Sequence, residues 1–288
     1  MEEPAYFARF GASTYEYCRI TRKFYTTNER IFELKSWRLV EDQWTACSGL
    51  PLADRGFRYG MSVFESIAVF GGRPLFMEPH LWRLQRAAMD AGMTCPALPT
   101  FDFSDMENGL LRFYITAGGG TPLAPLAGNV YAIYDDAEVG WNFAPLRGMT
   151  SAAPYLPRPG GWKTGNYWQN IDALSAAHRS GCDEALLFNP AGMLVSASMA
   201  NVFLEYNGEW ITPALETGAR DGTVRGWAIT NTGAREDFLD SEAVSRCTAC
   251  FLTNSRFGLR SLSELDGRAL RCDIAALQQS YFHDVFQS

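Results

Sequence analysis

The stretch LADRGFRYGMSVFESIAVFGGRPLFMEPHLWRL, residues 52–84, contains a strand, a turn and the start of a helix in close succession. Residues 62–70 are rich in apolar side chains, and the Gly-Gly-Arg-Pro sequence at 71–74 favours a turn after them. In residues 77–93 apolar side chains recur at intervals of three and four, which predicts a helix. These positions are Leu81, Leu84, Ala88 and Ala91. The stretch therefore predicts a fold that mixes strands and helices.

The composition excludes several classes of protein. The chain has 288 residues, a net charge of -7 and 47% hydrophobic residues, so a nucleic acid or an acidic membrane surface is an unfavourable partner. Its seven cysteines fit reduced thiols better than a disulfide scaffold. The one Cys-x-x-Cys pair lacks a second pair of ligands, so we expect no metal site. The first residues carry no apolar signal segment, and no apolar run approaches the ~18 residues of a membrane span. We expect a cytoplasmic protein.

Strands and helices alternate in both halves of the chain. Residues 137–145 are punctuated by Pro and Gly and carry no period, so they are the predicted linker. On either side we expect two α+β domains, over residues 1–136 and 146–288. Residues 1–30 show no clear period and are interpreted as an extension that packs on the body or on a partner.

Lys163 is unusual in this chain. It is one of three lysines among 25 basic residues, and it is the only lysine after position 35. A single lysine is most often a solvated surface group. Trp162, Tyr167 and Trp168 nevertheless surround this one with aromatic surface. A lysine against apolar walls loses hydration and its pKa falls, which makes the amine a nucleophile for aldehydes.

Residues 50–265 resemble the class IV (fold type IV) pyridoxal-phosphate enzymes, which include branched-chain aminotransferases, D-amino acid aminotransferases and aminodeoxychorismate lyases. The resemblance rests on motifs that follow one another in family order. These are Asp54-Arg55-Gly56, Tyr59-Gly60, Val63-Phe64-Glu65, His80-x-x-Arg83-Leu84, then Lys-x-x-Asn, Asp-Glu-Ala-Leu, Asn-x-Phe, Gly-x-x-Arg and Thr-Asn-Ser. The ordered set is specific, although no single motif is decisive.

The resemblance implies a cofactor, pyridoxal 5′-phosphate, in a cleft between two α/β domains. Lys163 matches the lysine that holds this cofactor as an internal aldimine and then moves a proton. The matches at the cofactor phosphate and ring are Arg83, Tyr167, Thr223, Val224, Asn254 and Ser255. Residues 221–229 look like a loop running into a helix, whose free backbone N–H groups suit an anion.

The resemblance also implies substrate contacts. Tyr59, Phe64 and Arg112 match pocket positions of the branched-chain enzymes, and Arg112 is suited to pair with a carboxylate. For Arg112 a structural ion pair is an equally good interpretation, as is a core position for Tyr167. His80 is a usual residue of the family, but helix packing explains it as well, so it receives no role.

Ser196 departs from the family pattern. Five residues before Asn201 the family carries a glutamate, which is expected to pair with the pyridine nitrogen. A protonated ring stabilises the carbanion formed at Cα, and a neutral serine cannot hold that proton by charge. Glu184 and Glu205 are candidate replacements if the fold brings them close. Otherwise the ring is neutral, or the usual activity and even the cofactor are lost.

Three functions remain open from the sequence. The first is an aminotransferase acting on an amino acid and a 2-oxo acid. The second is a lyase similar to aminodeoxychorismate lyase, which Ser196 and the Lys-x-x-Asn spacing favour. The third is a non-catalytic relative without cofactor. The resemblance further implies a homodimer, a state that composition alone does not indicate.

Overall fold

The computed structural model describes residues 34–136 and 143–286. Residues 1–30 and most of the expected linker, 137–142, therefore lie outside the described residues, and the division into two domains stays a prediction. The helices are α1 (Arg55–Tyr59), α2 (Met77–Asp90), α3 (Trp168–Arg179), α4 (Thr223–Thr232), α5 (Ser241–Arg246) and α6 (Ala275–Phe286). Within the described part of the chain, every helix falls short of the length and apolarity that a bilayer crossing requires.

The strands of residues 34–136 form an antiparallel sheet. They are β1 (Lys35–Val40), β2 (Gln43–Ala46), β3 (Ser62–Phe70), β4 (Arg73–Pro74), β5 (Gly109–Thr116) and β6 (Asn129–Asp135). Their order across the sheet is β2-β1-β6-β5-β3-β4. The predicted strand at 62–70 is confirmed as β3, and it lies inside the sheet, paired with β5 on one side and β4 on the other.

Strand β3 presents two different faces because successive side chains of a strand alternate. On one face Val63 and Ile67 pack against Leu84 and Ala88 of α2 in a common core. This contact explains the three-and-four spacing that predicts the helix. The helix ends at Asp90, earlier than position 93, because Gly92 takes a left-handed φ of 74°. The other face of β3 is free to line a site.

The strands from residue 146 onward form a mixed sheet. They are β7 (Leu146–Thr150), β8 (Glu184–Phe188), β9 (Leu194–Ala197), β10 (Asn201–Tyr206), β11 (Glu209–Pro213), β12 (Arg235–Asp237), β13 (Ala249–Asn254), β14 (Gly258–Leu265) and β15 (Arg268–Ala269). The order is β12-β11-β10-β13-β14-β7-β8-β9, with β15 on β14. Asn207 and Gly208 both have positive φ, 53° and 82°, and form the predicted two-residue turn between β10 and β11.

Helices α3 and α4 pack on this second sheet through small and branched side chains. Ala173 and Ala177 of α3 lie against Ala185 and Leu187 of β8. The corresponding core under α4 contains Val224, Ala228, Phe203 and Phe251. The N-terminus of each helix is therefore held at a fixed place above its sheet. Tyr167 lies at the N-terminus of α3, and Thr223 lies at that of α4.

Candidate active site

A cavity of about 700 Å³ lies between β3 and β5 of the first sheet and the loops of the second. The structure brings nearly all of the predicted site residues to its wall. They are Phe64, Arg83, Arg112, Lys163, Tyr167, Ser196, Thr223, Val224, Asn254 and Ser255. Tyr59 is the exception, because it lies at the end of α1 with 41% of its surface exposed and its ring under the Arg58 guanidinium.

The backbone around Lys163 is attached to the edge of β3. The N–H of Phe64 donates to the Lys163 carbonyl at 2.8 Å, and the N–H of Gly165 donates to the Ser62 carbonyl at 2.9 Å. Gly165 allows this close approach, since a Cβ at this position would lie 2.2 Å from the Ser62 Oγ and would force that side chain to move. The side chain of Lys163 therefore enters the cavity from a fixed point.

The amine of Lys163 faces an aromatic wall. Its Nζ lies 4.6 Å from the centroid of the Phe64 ring and 6.0 Å from that of Tyr167, and it donates to the Ser66 hydroxyl at 3.2 Å. Burial, followed by the positive charge of Arg220, lowers the pKa of Lys163 to about 7. Near neutral pH a large share of this amine is therefore unprotonated and nucleophilic.

Glu65 follows Phe64 on β3, on the opposite face of the strand, and anchors two residues of α2. Its Oε2 accepts a hydrogen bond from Arg83 at 2.6 Å and from the Nδ1 atom of His80 at 2.8 Å. Burial alone would raise the pKa of Glu65. The hydrogen bond from His80 and the charge of Arg83 outweigh it and hold that pKa well below its usual range. Glu65 is thus a fixed negative charge that orients both side chains.

The other nitrogen of His80 connects two loops of the second sheet. Nε2 lies 3.2 Å from the Thr223 hydroxyl and 3.1 Å from the Ser255 hydroxyl. Burial lowers the pKa of His80, and the hydrogen bond to Glu65 offsets this only in part. A neutral ring with its proton on Nδ1 satisfies both contacts, because Nε2 is then an acceptor for the hydroxyls. The sequence alone assigned no role to His80, because a helical pattern does not reveal contacts with residues as distant as Thr223 and Ser255.

The start of α4 presents unused backbone donors to the cavity. Gly222 caps this helix without a side-chain hydrogen bond, so the first N–H groups have no partner within the helix. The Asn201 side chain lies so close to Gly222 that a larger residue would collide with it, since a Cβ at position 222 would lie 2.2 Å from Asn201 Oδ1. Asn201 also donates to the carbonyl of Arg220 at 2.8 Å, which holds the loop before the helix.

Asn254 shapes the second loop. Its Oδ1 accepts from the N–H groups of Arg256 and Phe257 at 3.0 and 2.9 Å, and its Nδ2 donates to the Met199 carbonyl at 3.1 Å. The side chain thus folds the turn that presents Ser255, and its own polar atoms are already bonded.

Arg112 forms an ion pair with Asp135 across the β5–β6 pair. The carboxylate compensates its charge, which agrees with the structural interpretation of this residue. Arg112 still borders the cavity, and substrate binding by it stays untested.

Glu205 does not replace the glutamate that is missing at position 196. Glu205 accepts from the Thr248 hydroxyl and from Arg271, away from the cavity. Glu184 does line the cavity, where it accepts a hydrogen bond from the Ser198 hydroxyl. Burial raises the pKa of Glu184 to about 7 despite that bond. The Ser196 hydroxyl, on β9 opposite Leu187, has no hydrogen-bond partner among the described residues.

The chemistry of the donors fits a phosphate-bearing aldehyde. Arg83 supplies a guanidinium whose buried Nε has no partner among the described residues. Thr223 and Ser255 supply hydroxyls, and the start of α4 supplies backbone N–H groups. Lys163 supplies the amine for the aldehyde. Ser196 is the position where the fit to the expected ring contact is incomplete.

Residues 62–265 match the model of the family described as Amino-transferase class IV. A putative branched-chain-amino-acid aminotransferase of Methanocaldococcus jannaschii is 24% identical over 253 residues, a match that covers 75% of this chain and 83% of that relative. These similarities extend well beyond the site itself.

Two solved structures show the same fold. One is the structure of a putative 4-amino-4-deoxychorismate lyase from Legionella pneumophila, with a TM-score of 0.74, 24% identity, and coverage of 85% of this chain and 97% of that one. The other is a branched-chain aminotransferase from the archaeon Thermoproteus uzoniensis with norvaline, with a TM-score of 0.76, 20% identity, and coverage of 86% and 93%. The expected α+β fold of type IV is confirmed.

Proposed function

Because this chain belongs to the class IV aminotransferase family, whose members use pyridoxal 5′-phosphate, we propose that it is an aminotransferase that moves an amino group between an amino acid and a 2-oxo acid. The observation that carries the proposal is the amine of Lys163. It has a lowered pKa and faces the same cavity as the Arg83 guanidinium and the hydroxyls of Thr223 and Ser255.

Each residue has a defined task in this proposal. Arg83, Thr223, Ser255 and the first N–H groups of α4 bind the phosphate, and the charge of Glu65 fixes the orientation of Arg83. Phe64 and Tyr167 exclude water from the Lys163 amine. When bound, the cofactor supplies an electron-withdrawing ring that stabilises negative charge at the substrate Cα. The Lys163 Nζ, with a pKa of about 7, accepts and returns the proton of that carbon.

The second candidate is a lyase that eliminates pyruvate from its substrate. Ser196 favours it, because no charged group stands at this position to keep the ring protonated, and unrelated pyridoxal-phosphate enzymes that eliminate place Ser or Thr there. The product distinguishes the two reactions. An aminotransferase needs a 2-oxo acid acceptor, whereas a lyase releases pyruvate without one.

The test is an assay of the cofactor-loaded protein with L- and D-amino acids, alone and with 2-oxoglutarate or pyruvate. We expect amino transfer that depends on the acceptor and is lost in Lys163→Ala. Lys35→Ala is the matched control, because Lys35 lies on β1 and donates to the Asp105 carbonyl outside the cavity. Activity that survives in Lys163→Ala contradicts both the transferase and the lyase.

The expectations of a cytoplasmic location and a homodimer remain proposals. All six described cysteines are free thiols, which supports a reducing compartment. Sedimentation of the purified protein measures its oligomeric state directly.

A further inference from the structure

Arg220 borders two cavities at once. Its side chain contributes to the wall of the cavity of about 700 Å³ around Lys163, and also to a neighbouring cavity of about 240 Å³ lined by Tyr155, Arg158 and Tyr167. The backbone at this point is held on both sides. Asn201 donates to the Arg220 carbonyl, and Gly161 approaches so closely that a Cβ on it would lie 3.2 Å from the Arg220 Cα.

The positive charge of Arg220 forms no ion pair with a carboxylate among the described residues. Three other arginines of the cavity wall do have such a partner: Arg83 pairs with Glu65, Arg112 with Asp135 and Arg225 with Glu236. Arg158, Arg256 and Arg260 also line the cavity without an ion pair among the described residues, but Arg158 and Arg256 are exposed to solvent and Arg260 donates to the Ala144 carbonyl. The Arg220 Nε is closed off from solvent and makes no hydrogen bond to the described residues. A cation in such a place is costly unless an anion compensates it. The Nε atoms of Arg83 and Arg225 also lack a partner within the described part of the chain, so what distinguishes Arg220 from them is the missing carboxylate. An anion bound in the cavity would compensate this charge.

The groups around Arg220 keep it charged without neutralising it. Burial lowers the pKa of Arg220, but interactions with Tyr167 and Glu65 outweigh burial and raise that pKa overall. Glu65 is already held by Arg83 and His80. The guanidinium thus stays a cation that lacks a dedicated counter-ion.

The protein offers a separate set of donors to the phosphate. Arg83, Thr223, Ser255 and the start of α4 meet around His80. The charge of Arg220 instead acts on the Lys163 amine. Among the charged neighbours of that amine, Arg220 lowers its pKa the most.

A substrate carboxylate must bind near Lys163 for geometric reasons. In an α-amino acid the carboxylate is bonded directly to the carbon whose proton the amine moves, so its oxygens come within a few ångströms of Nζ. Arg112, the residue that the sequence suggested for this task, is already paired with Asp135. Arg220 is a cation on the wall of the same cavity, and its guanidinium has several donors for a planar carboxylate.

We propose that Arg220 binds the carboxylate of the substrate and so holds the reacting carbon of an α-amino acid beside Lys163. The inference rests on the proposed function and narrows its substrate class. Substrates that carry a carboxylate on the reacting carbon are accepted, and simple amines without one are not.

The first test is binding of an unreactive carboxylate to the cofactor-loaded protein. Succinate and the neutral succinamide are titrated against wild type, Arg220→Gln, Arg112→Gln and Arg86→Gln, following the absorbance of the bound cofactor. We expect Arg220→Gln to weaken succinate binding about 10- to 100-fold, as loss of charged hydrogen bonds does, and to leave succinamide unaffected. Arg112→Gln should change the affinity for succinate by less than about 3-fold. Arg86→Gln should leave that affinity unchanged, because Arg86 lies on the exposed face of α2.

The second test uses the protein without cofactor. The pH dependence of Lys163 labelling by fluorodinitrobenzene gives the pKa of its amine, which lies near 7 in wild type. Removing the cation in Arg220→Gln should raise this pKa. Added succinate should raise it in wild type and have no effect in Arg220→Gln. If Arg220→Gln fails to fold, Arg220→Lys keeps the charge but loses the planar set of donors, and should weaken succinate binding while leaving the Lys163 pKa low.

Three results overturn the inference. One is succinate binding by Arg220→Gln as tight as by wild type. Another is loss of succinate binding in Arg112→Gln while Arg220→Gln still binds succinate. The third is an Arg220→Gln protein that loses cofactor affinity but keeps succinate binding, which assigns Arg220 to the cofactor. The proposed function fails separately, when wild type itself does not attach the cofactor at Lys163.

Discussion

The Nδ1 atom of His80 lies 2.8 Å from the Oε2 atom of Glu65, and both side chains are buried. This contact joins strand β3 to helix α2, and through Nε2 of His80 it reaches the hydroxyls of Thr223 and Ser255. Residues from four segments of the chain thus meet at one imidazole. The orientation of the proposed phosphate donors depends on that ring.

His80→Asn tests this dependence. Asparagine can still donate to Glu65, but it is too short to accept from Thr223 and Ser255. We expect the affinity for pyridoxal phosphate to fall about 10-fold, the equivalent of one hydrogen bond of about 1.4 kcal/mol, in an absorbance titration. His283→Asn is the control, because His283 is exposed on α6. Equal affinity in His80→Asn and wild type contradicts this role.

The pH dependence of folding gives a second readout for His80. Its pKa in the folded protein is below the ordinary 6.5, so the unfolded chain binds a proton that the folded chain does not. Stability contributed by His80 is therefore present above about pH 6.5 and lost as pH falls below it. The unfolding free energy of His80→Asn should decrease less between pH 7 and pH 5 than that of wild type, measured by urea denaturation.

Glu65→Gln should destabilise the protein strongly. It removes the charge that compensates Arg83 and leaves buried donors without a full partner. Breaking a buried pair from one side costs about 3–5 kcal/mol. Glu242→Gln provides the comparison, because Glu242 pairs with Arg246 on the exposed surface of α5 and should cost less than about 0.5 kcal/mol. Similar losses in the two variants, in urea unfolding, would show that Glu65 is not a structural anchor.

Glu184 should make the protein less stable at alkaline pH. Its pKa is raised to about 7, so its contribution is full below pH 4.5 and is lost as pH rises through 7. Glu184→Gln removes the titrating group while keeping a polar side chain near Ser198. Between pH 5 and pH 8.5 the unfolding free energy of wild type should fall relative to this variant, by on the order of 3 kcal/mol. A difference that does not change with pH refutes a raised pKa.

Burial of the charged Lys163 amine lowers the free energy of unfolding, and Lys163→Met should remove this cost. Its pKa is about 7 in the folded protein and 10.5 in the ordinary state, so the cost is full below pH 7 and declines as pH rises from 7 to 10.5. Without cofactor, Lys163→Met should be more stable than wild type at pH 6, by on the order of 5 kcal/mol. Lys35→Met should show no such gain. A destabilised Lys163→Met would place the wild-type amine in water.

Local patterns in the sequence predicted the elements around the site well. The spacing of Leu81 and Leu84 indicated helix α2 because one face of it packs on β3, and Tyr167, four residues after Lys163, indicated that its amine is desolvated. These are short-range features of the chain. Trp168 was expected at the same amine, but it is 79% exposed.

The parts that sequence reasoning missed depend on distant segments. Arg220 lies in a loop without any periodic pattern. What distinguishes it is that no carboxylate of the described residues pairs with its guanidinium. His80 acquires its partners from residues 143 and 175 positions away. The Arg112–Asp135 pair is closer to what strand patterns can indicate, because the two residues are diagonal neighbours on one face of β5 and β6, with Arg112 opposite Ile133 and Asp135 opposite Leu110. Only the assembled sheets show which charges are compensated.

The most direct measurement is borohydride reduction of the protein incubated with pyridoxal phosphate, followed by peptide mass analysis. Our account predicts a phosphopyridoxyl group on the peptide that contains Lys163, loss of the visible absorbance band on reduction, and no adduct in Lys163→Ala. Absence of the adduct from wild type, or an adduct on Lys23 or Lys35 alone, would contradict the assignment of Lys163 as the residue that holds the cofactor.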